Sequence, residues 1–178
     1  MKKIAIISST PRKNGNSEIL AEEFARGARE SGNEVKRFDV RDIDLKFCRG
    51  CLACQKTSAC VIDDGMNEIC DEISGADVLV FSTPVYYYSV CGQLKTFLDR
   101  LNPLFARENR FGDVYLLATA ADDDASAVDG ALTAVEGWIS CFDGARLAGV
   151  VRGTGATYAG EIRNTDAPRK AYETGKAV

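Results

Sequence analysis

Ile4-Ala5-Ile6-Ile7 is an uninterrupted apolar run closed by Ser8-Ser9-Thr10-Pro11, the pattern of a strand buried on both faces. Behind it, Ile19, Leu20, Phe24 and Ala28 recur at helical spacing up to Gly32, a residue suited to the left-handed stop of a helix. Val35 to Val40 predicts a second strand, whose Glu34, Lys36 and Arg37 fit a sheet edge better than its centre. After an irregular stretch rich in cysteine, Met66, Ile69, Cys70 and Ile73 predict a short amphipathic helix, and Asp77-Val78-Leu79-Val80-Phe81-Ser82 a third strand. The alternation continues with a helix carried by Val90, Leu94, Phe97, Leu98 and Leu101, then a strand from Val114 to Ala118. A helix on Val128, Leu132, Val135, Trp138, Ile139 and Phe142 follows, then a strand from Ala145 to Val151. The pattern is thinnest at the end, where Asp166-Ala167-Pro168 starts a helix over Arg169 to Ala177 with Ala171, Tyr172 and Gly175 as its stripe.

Five largely continuous apolar strands alternating with five helices imply an α/β three-layer sandwich, a parallel sheet covered on both faces by right-handed crossovers. Five such strands favour the flavodoxin-like order 2-1-3-4-5, which puts ligands at the carboxyl ends of strands 1 and 3, where the order reverses. No repeat or linker breaks the chain, so residues 1–178 read as one domain with a cysteine-rich loop at 47–62. The composition, 46% apolar and 27% charged with a net charge of −4, fits a globular protein and gives no footing for broad binding to nucleic acid. No apolar run approaches the ~20 residues that cross a bilayer. The chain enters its first strand directly after Lys3 with no cleavage pattern, which predicts a cytoplasmic protein. The absence of histidine matters more for chemistry, because it removes the commonest general base and any Ser/His/Asp or Cys/His triad. The remaining options are cysteine, carboxylate, tyrosine, or a cofactor that brings its own reactivity.

Three loops therefore carry the interest. Ser9-Thr10-Pro11-Arg12-Lys13-Asn14-Gly15-Asn16-Ser17 joins strand 1 to helix 1. Hydroxyls, amides and free N–H groups at a helix N-terminus, with two cations beside them, suit a phosphate. With one glycine it is neither a dinucleotide turn nor a nucleotide loop of the G-x-x-x-x-G-K type, and the plainer alternative is a polar turn whose Asn16 or Ser17 caps the helix. Thr83-Pro84-Val85-Tyr86-Tyr87-Tyr88-Ser89 follows strand 3 and offers flat aromatic faces beside backbone amides, a setting for a planar heteroaromatic ring; the alternative is that one or two tyrosines only pack over the sheet end, and at least one is expected to do so. Thr119-Ala120-Ala121-Asp122-Asp123-Asp124 follows strand 4, with small residues that permit close approach to the backbone and three carboxylates expected to cap the next helix and face water.

Cys48-x2-Cys51-x2-Cys54-x5-Cys60 is the most specific signal in the chain. Three closely spaced thiols plus a fourth suit a [4Fe–4S] cluster, whereas a four-cysteine zinc site usually takes two C-x-x-C pairs farther apart. Free or redox-active thiols in a loop without metal are the remaining alternative. Cys70, Cys91 and Cys141 read as small core residues.

Taken together, the Ser9–Ser17 loop, Thr83-Pro84-Val85-Tyr86 running into Gln93-Leu94-Lys95-x-Phe97-Leu98-Asp99-Arg100, and Cys60-Val61-Ile62-Asp63-Asp64 resemble the NADPH-dependent FMN reductase and iron–sulfur flavoprotein family. The likeness is clear from strand 1 through helix 3 and looser to Ala171-Tyr172-Glu173-x-Gly175-Lys176. The resemblance implies non-covalent FMN, with Thr10, Arg12, Asn16 and Ser17 at its phosphate and Ser9 and Asn14 as neighbours. It implies Pro84, Val85, Tyr86 and Tyr87 bordering the flavin ring and ribityl chain, Thr119, Ala120 and Ala121 along the other edge, and Cys48, Cys51, Cys54 and Cys60 as cluster ligands. It further implies NAD(P)H as co-substrate, a quinone, flavin or ferredoxin as partner, and a homodimer or homotetramer. Ala120-Ala121 stands where relatives often carry a Gly-rich loop, and Gly65 where they often carry an acid. The expected function is an FMN-dependent oxidoreductase; the alternatives are a flavodoxin-type electron carrier and a cysteine-based redox or zinc sensor.

Overall fold

The computed structural model describes residues 1–178. Five parallel strands form its sheet: β1 (Lys3–Ser8), β2 (Glu34–Asp39), β3 (Val78–Tyr86), β5 (Asp113–Thr119) and β6 (Arg146–Gly153). They lie side by side as β2-β1-β3-β5-β6, so the parallel strands follow the expected order. A sixth strand absent from the expected set, β4 (Ser89–Val90), pairs antiparallel with the end of β3. β2 lies at an edge, as its charges predicted.

The apolar runs are continuous because successive side chains enter different cores. Ala5, Ile7, Leu79, Phe81, Leu116 and Ala118 point to one face, and Ile4, Ile6, Val78, Val80 and Leu117 to the other, the two-residue alternation of a pleated strand. Helices α3 (Met66–Ser74), α4 (Gly92–Arg100) and α5 (Asp129–Ile139) cover the first face; α1 (Asn16–Glu30) and α6 (Ala167–Lys176) cover the second. A single helical turn, α2 (Cys54–Thr57), sits inside the cysteine loop. No helix is long and apolar enough to cross a membrane.

Helix α6 showed a thin stripe because its buried positions are Ala167, Ala171 and Gly175. Small residues let it lie almost backbone to backbone on α1: a Cβ on Gly27 would overlap the Tyr172 carbonyl, and one on Gly175 the Phe24 carbonyl. Three local expectations change. Strand β3 runs past Ser82 to Tyr86 because it gains β4 as a hairpin partner, and Val90 accordingly belongs to β4 rather than to α4. Cys141 is exposed in the turn after α5 instead of lying in the core, whereas Cys70 and Cys91 are buried.

Gly27→Ala tests the helix contact with a sign that propensity alone would reverse. An unpacked helix gains about 1 kcal/mol from that change, but overlap with Tyr172 should instead cost roughly 1–3 kcal/mol in a urea unfolding midpoint. A variant as stable as the parent contradicts the packing.

Candidate functional site

The register brings the carboxyl ends of β1, β3 and β5 together, with Ser8 opposite Ser82 and Pro84 opposite Thr119. Ser9, Thr10, Asn16 and Ser17 are all buried at this end. The Ser9 hydroxyl and N–H both donate to the Ser82 carbonyl, at 2.8 and 2.9 Å, and the Ser82 hydroxyl donates to the Ser17 carbonyl at 2.6 Å. Cys91 joins the loops: its thiol lies 3.3 Å from the Ser9 hydroxyl, and its N–H donates to the Thr83 hydroxyl at 3.3 Å.

Helix α1 begins on Gly15 with no side chain capping it, so neither Asn16 nor Ser17 is the cap. A Cβ on Gly15 would come within 2.8 Å of the Thr10 hydroxyl, which keeps the cradle open only for glycine. The Ser17 hydroxyl is buried and has no hydrogen-bond partner, an arrangement that costs stability unless a ligand accepts from it. Together, uncapped first-turn N–H groups and this orphan hydroxyl fit an anionic phosphate. The Asn16 side chain is otherwise engaged: it donates to the Ala156 carbonyl and accepts from the N–H groups of Gly160 and Ile162, so only its backbone is free toward a ligand. Arg12 is exposed and donates to the Thr157 carbonyl at 3.1 Å, while Asn14 adopts a left-handed φ of 55° at the loop's bend.

A carboxylate in the first turn would oppose a phosphate, and Glu18 is buried there. Arg41 answers it with nitrogens at 2.7 and 3.2 Å, and Arg37 adds a contact at 3.5 Å. These bonds, Arg41's foremost, hold the Glu18 carboxyl below its ordinary value. Arg41 also donates to the Arg12 carbonyl at 3.0 Å, so one guanidinium neutralises Glu18 and braces the loop.

The second and third loops meet in a concavity of about 270 Å³ lined by Val85, Tyr87, Tyr88, Ala120, Ala121, Asp122 and Ala127. Tyr87 and Tyr88 form the two-residue turn of the β3–β4 hairpin with φ of 50° and 57°. That geometry is normally given to Asn-Gly, and tyrosine there is strained by about 1–2 kcal/mol per residue. Gly130 of α5 lets the helix abut the Tyr88 carbonyl, and the Tyr88 hydroxyl donates to Asp122 at 3.1 Å. None of the three tyrosines packs over the sheet end; Tyr86, Tyr87 and Tyr88 are all exposed, Tyr87 fully. Pro84, Thr119 and Ala120 are buried behind them and Ala121 is exposed. All three acids face water, as expected, but none caps α5, which starts on Val128 without a side-chain cap; Asp124 caps only the short turn Ala125–Val128 ahead of it.

Farther along the same face, Cys48, Cys51, Cys54 and Cys60 all line one enclosed pocket, with Arg100 and Asn102 on its wall. Gly50, Leu52 and Ser58 take left-handed φ of 65°, 57° and 57° and wind the loop tightly, leaving Cys54 buried, Cys48 and Cys60 half-buried and Cys51 exposed. No three thiols or carboxylates are drawn together closely enough to hold a metal ion as they stand. Burial first, and then the neighbouring Cys60, pushes the Cys54 thiol up. Asn67 of α3 grips the Cys60 backbone by both its N–H and its carbonyl, at 2.7 and 3.0 Å. The Arg107 guanidinium donates to the Ser58 carbonyl at 2.8 Å.

Beneath this loop lies a buried ion pair. Arg100, fully covered, makes a bidentate contact to Asp64 at 2.5 and 2.8 Å and donates to the Lys46 carbonyl at 2.8 Å. Its hydrogen bonds hold the Asp64 carboxyl down at about 2, against an ordinary 3.8. Composition did not expose Arg100, Asp64, Glu18, Arg37, Arg41, Cys91 or the 156–162 segment as parts of the site. The available signals were Glu18 at the third helical position, where an acid often supports a helix start, and the place of Arg100 and Asp64 inside the two motifs that carry the family resemblance.

The profile of the NADPH-dependent FMN reductase family matches residues 2–157. An iron-sulfur flavoprotein of Archaeoglobus fulgidus is 34% identical over 103 residues, 58% of this chain and 46% of that protein. This chain thus spans about half the length of the curated relatives it matches. Among solved structures, an NAD(P)H:quinone oxidoreductase from Methanothermobacter marburgensis superposes with a TM-score of 0.76 at 16% identity, covering 98% of this chain and 94% of that one. An FMN-dependent NADH-azoreductase from Bacillus anthracis, solved in complex with FMN, gives 0.72 at 15% identity over 99% of both chains. These likenesses establish the shared fold.

Because the Asp64 carboxyl is held low, it stabilises the fold above its ordinary value and loses that contribution as pH falls through about 2. The expected contribution is about 2 kcal/mol. Urea unfolding of the parent should weaken between pH 4 and 2.5 by more than that of Asp64→Asn; parallel profiles contradict the assignment.

Proposed function

The chain belongs to the NADPH-dependent FMN reductase family, and from that premise we propose that it is an FMN-dependent oxidoreductase, fed by NAD(P)H, whose cysteine loop holds a [4Fe–4S] cluster. The observation that carries the FMN assignment is the uncapped start of α1 with the buried, partnerless Ser17 hydroxyl. Thr10 and Ser17 offer hydroxyls to the phosphate, Asn16 its backbone N–H, and Arg12 its charge; Ser9 and Asn14 shape the loop behind them. Pro84, Val85, Tyr86 and Tyr87 border the ring and ribityl chain from one side, and Thr119, Ala120 and Ala121 from the other. Bound FMN supplies the redox chemistry at its N5 and a cluster supplies single-electron transfer, so no side chain has to act as a general base. This division suits a chain without histidine.

The protein's own contribution is position and electrostatics. The Glu18–Arg41 pair keeps the phosphate loop in shape without leaving a bare carboxylate beside the anion. The tyrosine hairpin and the small residues Ala120 and Ala121 leave the concavity open to a flat ring. Cys48, Cys51, Cys54 and Cys60 line one pocket, and their close C-x2-C-x2-C-x5-C spacing supports a cluster over the two separated pairs usual for zinc. Exposed Leu52 and Val61 on that pocket's lining support a contact surface for an electron partner such as ferredoxin, or for a second copy in a homodimer or homotetramer. Seven unpaired cysteines accord with a reducing, cytoplasmic setting.

Two measurements test the reading. With NAD(P)H and a quinone or free flavin as acceptor, the enzyme assignment expects sustained multiple turnover; nicotinamide oxidation no faster than the protein-free control would leave an electron carrier instead. Ser17→Ala removes one donor to a charged group, worth roughly 1.5 kcal/mol or more, so FMN affinity by fluorescence titration should weaken at least about tenfold. Unchanged affinity would place the phosphate elsewhere.

A further inference from the structure

Buried arginine beneath a loop of thiols is an unusual neighbour, because a fully covered guanidinium is costly unless every group around it serves. Arg100 satisfies Asp64 and the Lys46 carbonyl, and its remaining terminal donor lies 3.5 Å from the Cys60 sulfur. Cys48 also has donors, the Gly50 N–H at 3.4 Å and the Asn102 amide at 3.7 Å. Cys51 is exposed and Cys54 buried, and neither receives a side-chain donor of this kind. The pocket is therefore electrostatically lopsided, and the one full positive charge bonded to a thiol is on the Cys60 side.

Hydrogen bonds to sulfur and local net charge are two of the levers that set the potential of an iron–sulfur cluster. A cation bonded to a ligand sulfur favours the reduced, more negative cluster. Asp64, on the far side of the same guanidinium, opposes it. We infer that the Arg100–Asp64 pair is a potential-setting device for a cluster on Cys48, Cys51, Cys54 and Cys60, with Arg100 raising the potential through Cys60 and Asp64 limiting the rise. The inference rests on the cluster assignment of the proposed function, and it makes Arg100 and Asp64 positioning residues that act through a ligand sulfur.

The pair gives a test that a purely structural role cannot imitate. Losing either partner destabilises the fold in the same direction, but the two losses should move the cluster potential in opposite directions. In an anaerobic redox titration followed by EPR, Arg100→Gln should lower the ratio of reduced to oxidised cluster at a fixed potential about tenfold, a shift of roughly 59 mV for one electron. Asp64→Asn should raise that ratio. Arg100→Gln/Asp64→Asn, in which two neutral amides replace two charges, guards against misfolding of the single variants and should fall between the parent and Arg100→Gln. The FMN potential, read in the same titration, should not move. Shifts of the same sign in both single variants, or an unmoved potential in variants that hold a full cluster, overturn the inference alone. A parent protein that takes up no iron and sulfide on reconstitution overturns it together with the cluster assignment beneath it.

Discussion

Strands β1 and β3 have no polar face: Ile4 and Ile6 enter one core while Ala5 and Ile7 enter the other, and Val78 to Phe81 divide in the same way. Helices must therefore cover both sides of the sheet, and the only places where chain can meet solvent and ligand are the strand ends. At the carboxyl end, the reversal of strand order between β1 and β3 opens a crevice that no crossover fills. The 9–17 loop, the tyrosine hairpin and the small-residue loop after β5 all emerge there because of this constraint. The 156–162 segment after β6 closes the crevice from behind by gripping Asn16.

The second half of the architecture hangs on charge buried in an otherwise apolar wall. Arg100 at the end of α4 and Asp64 at the start of α3 form an ion pair that also holds Lys46, and so ties both ends of the cysteine loop to the helical layer. Glu18 and Arg41 perform the matching task at the phosphate loop. In each case the terminal nitrogens of a covered guanidinium find several partners although its Nε finds none, and the loop it anchors inherits a fixed shape. Left-handed Asn14 lies on the 9–17 loop and left-handed Leu52 and Ser58 on the cysteine loop, while the strained tyrosine turn lies on the separate β3–β4 hairpin, and backbone strain of this kind tends to gather at functional sites.

The fold was legible because strand periodicity and helix periodicity rarely compete in an α/β chain with continuous apolar runs; Ile4–Ile7 and Val78–Phe81 admit little else. That the loops after Ile7, Ser82 and Ala118 come together at one end of the sheet was legible for a related reason, since the strand order says which loops are neighbours. What the sequence hid was tertiary. Nothing local marks Arg100 as buried, and nothing about Asn16 reveals that residues far along the chain consume its side chain. Strand β4 escaped because two residues carry no periodicity, and its turn uses tyrosines where the turn chemistry calls for Asn-Gly. Cys141 read as core because it follows an apolar helix stripe, yet that helix ends at Ile139 and leaves the thiol outside.

The central claim is that two redox groups share this scaffold, a flavin at the strand ends and a cluster in the cysteine pocket. An ultraviolet–visible spectrum of protein purified without oxygen, combined with iron and acid-labile sulfide assays, tests it most directly. The account predicts flavin bands over a broad brown absorbance with about four irons per chain, the content of a [4Fe–4S] centre. Flavin without iron would contradict the cluster, and protein that binds no flavin even with added FMN would contradict the account at its root.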